Sequence, residues 1–104
     1  MTGQDDIITI ALRIFETARE GRTAELVKYL DAGVPVDFTS PNGDTLLIVA
    51  AHQGHLETVQ ALLDRGADHS RVNKLGDTAL DSALMHNHDD VARALLMAGA
   101  VLEP

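Results

Sequence analysis

The segment Gly43-Asp44-Thr45 returns 33 residues later as Gly76-Asp77-Thr78. The same offset carries Leu47 to Leu80, Ala50 to Ala83, His55 to His88, Ala61-Leu62-Leu63 to Ala94-Leu95-Leu96 and Gly66-Ala67 to Gly99-Ala100. A period with this many matches in register constrains the fold more than composition does. So short a unit cannot bury its own apolar face, so units must stack into an elongated solenoid. One further step back along the chain finds a degenerate first unit, with Gly66 mapping to Gly33, Gly54 to Gly21, Leu63 to Leu30 and Ala51 to Ala18. The Gly-Asp-Thr turn has no counterpart there. An atypical terminal unit is what a cap requires, because one of its faces meets water. The 104 residues therefore read as one domain of three units: an N-terminal cap over 6–38, a central unit over 39–71 and a C-terminal cap over 72–104. Met1 reads as an intact start, and nothing near Pro104 reads as truncated.

Local grammar within the units predicts helices. Asn42-Gly43-Asp44 is turn chemistry: Gly accepts positive φ, and Asn and Asp bond their own backbone. Thr45 can then accept a backbone N–H at a helix start. The apolar run over 46–51 meets Gly54 too soon for a strand and crossover, so a short helix ending on a left-handed Gly54 fits better. A second helix over 56–65 places Val59, Leu62 and Leu63 three and four apart on one face, and Gly66 ends it. In the third unit Asn87 stands in for Gly54, and Asn is the next residue able to adopt the left-handed conformation. Its second helix, over 89–98, begins with two acids at the positive end of the helix dipole. In the first unit, residues 6–20 read as one longer helix and 23–32 as its partner. The fold class is all-α.

Composition narrows the function. Hydrophobic residues make up 45% of the chain, but aromatics only 3%, with no Trp. Leu, Ala, Ile and Val must supply the core, and no aromatic platform exists for single-stranded nucleic acid. A formal charge of −8 repels phosphate and anionic membrane surfaces and permits a basic protein partner. With no cysteine, disulfides and thiolate metal sites are excluded. The apolar stretch over 7–12 is too short to span a bilayer. Asp5 and Asp6 stand before it, where a signal peptide would carry positive charge. The chain reads as cytoplasmic. There is no Gly-rich phosphate loop, nucleophile elbow or His-Glu-x-x-His. Asp89 and Asp90 are adjacent on a helix and diverge, so they cannot work as paired carboxylates. No enzyme activity and no cofactor are expected.

The unit Gly-x-Thr, Leu-x-x-Ala-Ala, Gly-His, Leu-Leu, Gly-Ala-Asp resembles the ankyrin repeat. The match runs through Gly43-Asp44-Thr45, Leu47, Ala50-Ala51, Gly54-His55, Leu62-Leu63 and Gly66-Ala67-Asp68. It recurs in Gly76-Asp77-Thr78, Leu80, Ala83, His88, Leu95-Leu96 and Gly99-Ala100, and covers residues 8–101. There are departures. The family's Thr-Pro-Leu-His becomes Thr45-Leu46-Leu47-Ile48 and Thr78-Ala79-Leu80-Asp81. The missing Pro removes a preset φ, and the missing His removes a polar link between neighbouring units. Ile48 offers packing instead, and Asp81 can cap or bond locally. Ser70 stands where the family often has Asn.

The resemblance implies antiparallel helix pairs with projecting loops or short hairpin fingers, and a concave face that binds protein. Carried onto this chain, the finger positions are Pro41, Asn42, Asp44, Lys74, Leu75 and Asp77. The inner-helix positions are Arg19, Glu20, His52, Gln53, Met85 and His86. Leu75 and Met85 are apolar at projecting places, and Met is an adaptable contact residue; the plainer alternative folds Leu75 back on the adjacent finger. His86-Asn87-His88 looks like a metal pair, but His88 repeats His55, at a place the family fills structurally. His52 and His86 read as repeat partners in the inner-face slot of successive units, close enough to share a metal or sense pH; the plainer reading is variable surface residues.

The expected function is protein binding as an adaptor, inhibitor or immunity-type protein. Asp44 and Asp77 would favour a basic patch on the partner. Two alternatives stand beside it. One is an oligomerising scaffold through a third-unit face near Ala92, Met97 and Val101, which makes the chain a monomer or a weak end-on dimer. The other, more remote, is a His-dependent metal-binding regulator. Specificity is expected where the units differ, as in Ile48 against Asp81 and His52-Gln53 against Met85-His86.

Overall fold

Helix starts and stops follow the chemistry of their end residues. The computed structural model describes residues 3–101, with side chains described from Ile7 onward. Among these residues there are six helices: α1 (Gly3–Arg19), α2 (Thr23–Asp31), α3 (Leu46–Gln53), α4 (Leu56–Asp64), α5 (Ala79–Met85) and α6 (Asp89–Met97). Thr45 caps α3 by accepting the Ile48 N–H at 3.1 Å. Thr78 does the same for the Asp81 N–H at 3.1 Å, and the Asp81 carboxylate accepts the Thr78 N–H at 2.9 Å. This reciprocal box satisfies two otherwise orphaned groups, so Asp81 bonds locally, as its place suggested. Gly54 ends α3 at φ 78° and ψ 26°. Asn87 takes the same region at φ 61°, the one non-glycine residue with positive φ among those described. Against expectation, α1 starts three residues earlier, at Gly3, and α2, α4 and α6 each end one residue sooner. The fingers contain only one antiparallel bridge, Thr39 to Thr45.

The three helix pairs stack in order. Inner helices α1, α3 and α5 form one layer, outer helices α2, α4 and α6 the other. The molecule measures 49 × 27 × 20 Å. Equivalent positions form buried columns: Ile14, Leu47 and Leu80 in one, Leu26, Val59 and Ala92 in another. Burial of Ala92 removes it from the proposed end-on surface, where Met97 and Val101 remain exposed. At the opposite end of the stack Arg22 pairs with Glu20 at 3.0 Å and with Glu25 at 3.7 Å.

Polar bonds repeat at the junctions between units. His55 Nε2–H donates to the Arg19 carbonyl at 2.8 Å, and His88 Nε2–H donates to the His52 carbonyl at 3.1 Å. These two histidines supply the inter-unit link that Ile48 and Asp81 cannot. Each ring lies against the glycine of the preceding unit, and a Cβ on Gly21 or Gly54 would meet it at 2.6 Å. Arg65 and Asp31 pair across the first junction at 3.4 Å. The Asp37 carboxylate accepts the Asp68 N–H at 2.9 Å.

The first unit departs from this plan. Residues 6–12 of α1 stand, in repeat register, where the later units have a finger, and Phe15 of the same helix packs on Phe38 with ring centroids 4.7 Å apart. Ile7, Ile8 and Leu12 stay largely exposed on this extension.

Candidate protein-binding groove

The concave face holds a groove of about 320 Å³. Its floor is Ile48, Val49 and Ser82, all buried, from helices α3 and α5. Arg19, His52 and Gln53 line the inner-helix wall with Met85, and Asp44, Asn73, Leu75 and Asp77 come from the fingers. Seven of the twelve residues expected at the binding face thus come together: Arg19, Asp44, His52, Gln53, Leu75, Asp77 and Met85.

The other five lie elsewhere. Glu20 lies toward the N-terminal end in its ion pair with Arg22. Pro41 and Asn42 line a neighbouring cleft, beside α1. Lys74 is exposed on its finger, with its backbone N–H donating to the Asn42 carbonyl at 3.1 Å. His86 lies outside the groove lining but packs its ring on His52.

The fingers are built by one device used twice. Ser40 Oγ accepts the Asp44 N–H at 3.2 Å, and 33 residues on, Asn73 Oδ1 accepts the Asp77 N–H at 3.0 Å and the Leu75 N–H at 2.9 Å. Asn73 Nδ2 then donates to Asp44 Oδ1 at 3.0 Å. One carboxylate oxygen of Asp44 is therefore spent on holding the two fingers together. Asp44 and Asp77 are both half-buried at the finger bases, and the tips are Asn42-Gly43 and Lys74-Leu75. Leu75 is 84% exposed and Met85 64% exposed, so Leu75 does not fold back. Ile48, expected to bear on specificity, lies in the groove floor, whereas the sequence reading missed Val49, Ser82 and Asn73 as groove residues. For Asn73 the signal was its repeat equivalence to Ser40.

The histidines settle differently. His52 and His86 are 34 positions apart, one beyond the repeat, and the register partner of His52 is Met85. Their rings nevertheless meet edge to face at a centroid distance of 4.1 Å. His86 and His88 are 6.2 Å apart, with the Nε2 of His88 committed to the His52 carbonyl. No group of three or more side chains suited to a metal occurs among the described residues.

Outside the groove, the Ser70 hydroxyl and N–H both donate to Asp68 Oδ1, at 2.6 and 2.9 Å. These bonds, the hydroxyl's first, hold the Asp68 carboxyl below its ordinary value; burial opposes them, and the nearby Arg71 and His69 add to them. No helix among the described residues is long and apolar enough to cross a membrane.

The family model described as ankyrin repeats (3 copies) matches residues 14–103. An ankyrin repeat protein of Pseudomonas aeruginosa, PA3287, is 35% identical over 48 residues, covering 46% of this chain and 28% of that protein. Among solved structures, a chain in the complex of the Bd0816 predatory endopeptidase from Bdellovibrio bacteriovorus with immunity protein Bd3460 is similar. It matches with a TM-score of 0.81 at 30% identity, covering 85% of this chain and 46% of that chain. The match to each of these two relatives spans less than half of that relative's length.

Proposed function

Because this chain belongs to the ankyrin-repeat family, whose repeats are protein–protein interaction modules, we propose that it binds a partner protein through its concave groove, as an inhibitor or immunity-type protein. In this reading residues 1–104 act as one binding domain of three units, without catalysis. The observation that carries it is the pair Leu75 and Met85, exposed over a buried floor of Ile48, Val49 and Ser82. Apolar side chains held in water beside a groove mark an interaction surface. Asp44 and Asp77 flank them and favour a basic residue on the partner. The immunity-type reading draws support from the similarity to a complex of an endopeptidase with an immunity protein.

The test is affinity capture from the source cell, followed by affinity measurement on the recovered protein. Asp44→Lys/Asp77→Lys is expected to weaken binding by about tenfold or more and to flatten its salt dependence. Equal affinity for this variant and the wild type would sink the electrostatic part. Equal affinity for Leu75→Ser/Met85→Ser would remove the groove itself from the account.

A further inference from the structure

A second groove opens where the first unit lacks a finger. The first finger is bonded on one side to the second: the Lys74 N–H donates to the Asn42 carbonyl and Asn73 Nδ2 donates to Asp44. On its other side, among the described residues, it faces the extension of α1, and the gap between them is a cleft of about 610 Å³. Ile7, Ile8 and Leu12 form its helical wall, Phe15 and Phe38 its aromatic floor, and Pro41 its far lip. Ile7, Ile8 and Leu12 are 68%, 60% and 66% exposed, although all lie within two turns of one helix. Three large aliphatics left in water on one stretch of helix are a contact surface without its contact.

Two observations say what covers it. Arg19, Asp44 and Val49 line both this cleft and the concave groove, so the two are one continuous surface. The charged groups along it are Glu16, Asp44 and Asp77 against Arg19, an acidic excess on a chain of net charge −8. Two such copies repel one another, whereas a basic segment is attracted. We infer that the partner's bound segment runs from the concave groove into this cleft, lodging a large aliphatic or aromatic side chain against Ile8 and Leu12 and setting a Lys or Arg beside Asp44. This rests on the concave groove being the binding site, and it defines the partner's chemistry as an apolar anchor next to a positive charge.

Random peptides displayed on phage, selected on the immobilised full chain, test it. Enriched peptides are expected to pair an aliphatic or aromatic residue with Lys or Arg. Their affinity, read by fluorescence anisotropy, should fall by about tenfold or more for Ile8→Glu/Leu12→Glu, with the melting curve unchanged because both side chains are exposed. Loss for Leu75→Ser/Met85→Ser without loss for Ile8→Glu/Leu12→Glu would overturn this inference and leave the concave reading standing. Loss for neither would overturn both. No enrichment, or enrichment without a basic preference, would overturn the inference. So would self-association in sedimentation that Ile8→Glu/Leu12→Glu abolishes, since the occupant would then be a second copy.

Discussion

Gly54→Ala should cost more than a left-handed backbone alone explains, and the surplus follows from the ring packed against it. Gly54 sits at φ 78°, Gly66 at φ 85°. For either, an L side chain in this region costs about 1–2 kcal/mol. A Cβ on Gly66 meets nothing within 4 Å, so Gly66→Ala measures that cost by itself. A Cβ on Gly54 would lie 2.6 Å from His88 Nδ1 and Cε1 and 2.9 Å from Cγ. Cγ is close to the root of the side chain, so the whole ring must shift and its bond to the His52 carbonyl is lost. That bond contributes about 0.5–1.5 kcal/mol net. Gly54→Ala is then expected to cost about 1.5–3.5 kcal/mol in total. Urea unfolding followed by helical circular dichroism gives both numbers. In a His88→Ala background the surplus should vanish, which a double-mutant cycle reads directly. Equal costs for Gly54→Ala and Gly66→Ala, or a surplus that survives removal of His88, would refute the reasoning.

Leu47→Ala empties a site that is 1% exposed and should cost about 2–5 kcal/mol. That is a large share of a typical domain's about 5–15 kcal/mol, and co-melting of this variant with the wild type would show that the column through Ile14, Leu47 and Leu80 is not the core. Asp68, whose carboxyl is held low in the folded chain, adds stability present above the ordinary carboxylate range and lost as pH falls through its folded value. Ser70→Ala removes the leading cause and should raise the Asp68 midpoint in a carboxyl NMR titration; an unmoved midpoint would show that Ser70 is not the cause.

What the sequence conveyed best was local. The left-handed residues at Gly54 and Asn87, the Thr45 and Thr78 caps and the buried Leu47 and Leu80 each depend on neighbours within a few positions. The repeat then copies them, and the ankyrin family follows. Contacts between units were harder to read. The Asn73 bond to Asp44 spans 29 positions and the histidine bonds 36, and nothing in the local pattern specifies which atoms meet. His52 and His86 show the same limit: their rings touch although they are out of register by one. The cleft beside α1 was least legible, because the segment that forms it replaces a finger and has no counterpart elsewhere in the chain. The apolar run over 7–12 reads in sequence as part of a cap helix too short to span a bilayer, and the structure makes it the wall of a groove.

Asn87 bears on how such a chain can change length over generations. A duplicated central unit carries its own Gly54 and its own His55, so it can follow, or be followed by, another of its kind without collision. The third unit has the histidine but not the glycine. A further unit added after it would bring an imidazole to the spot where Asn87 already projects a side chain. Growth at that end requires Asn87→Gly first, whereas internal duplication of residues 39–71 requires no prior substitution. Gains and losses of units among relatives with this arrangement are therefore expected in the middle of the stack.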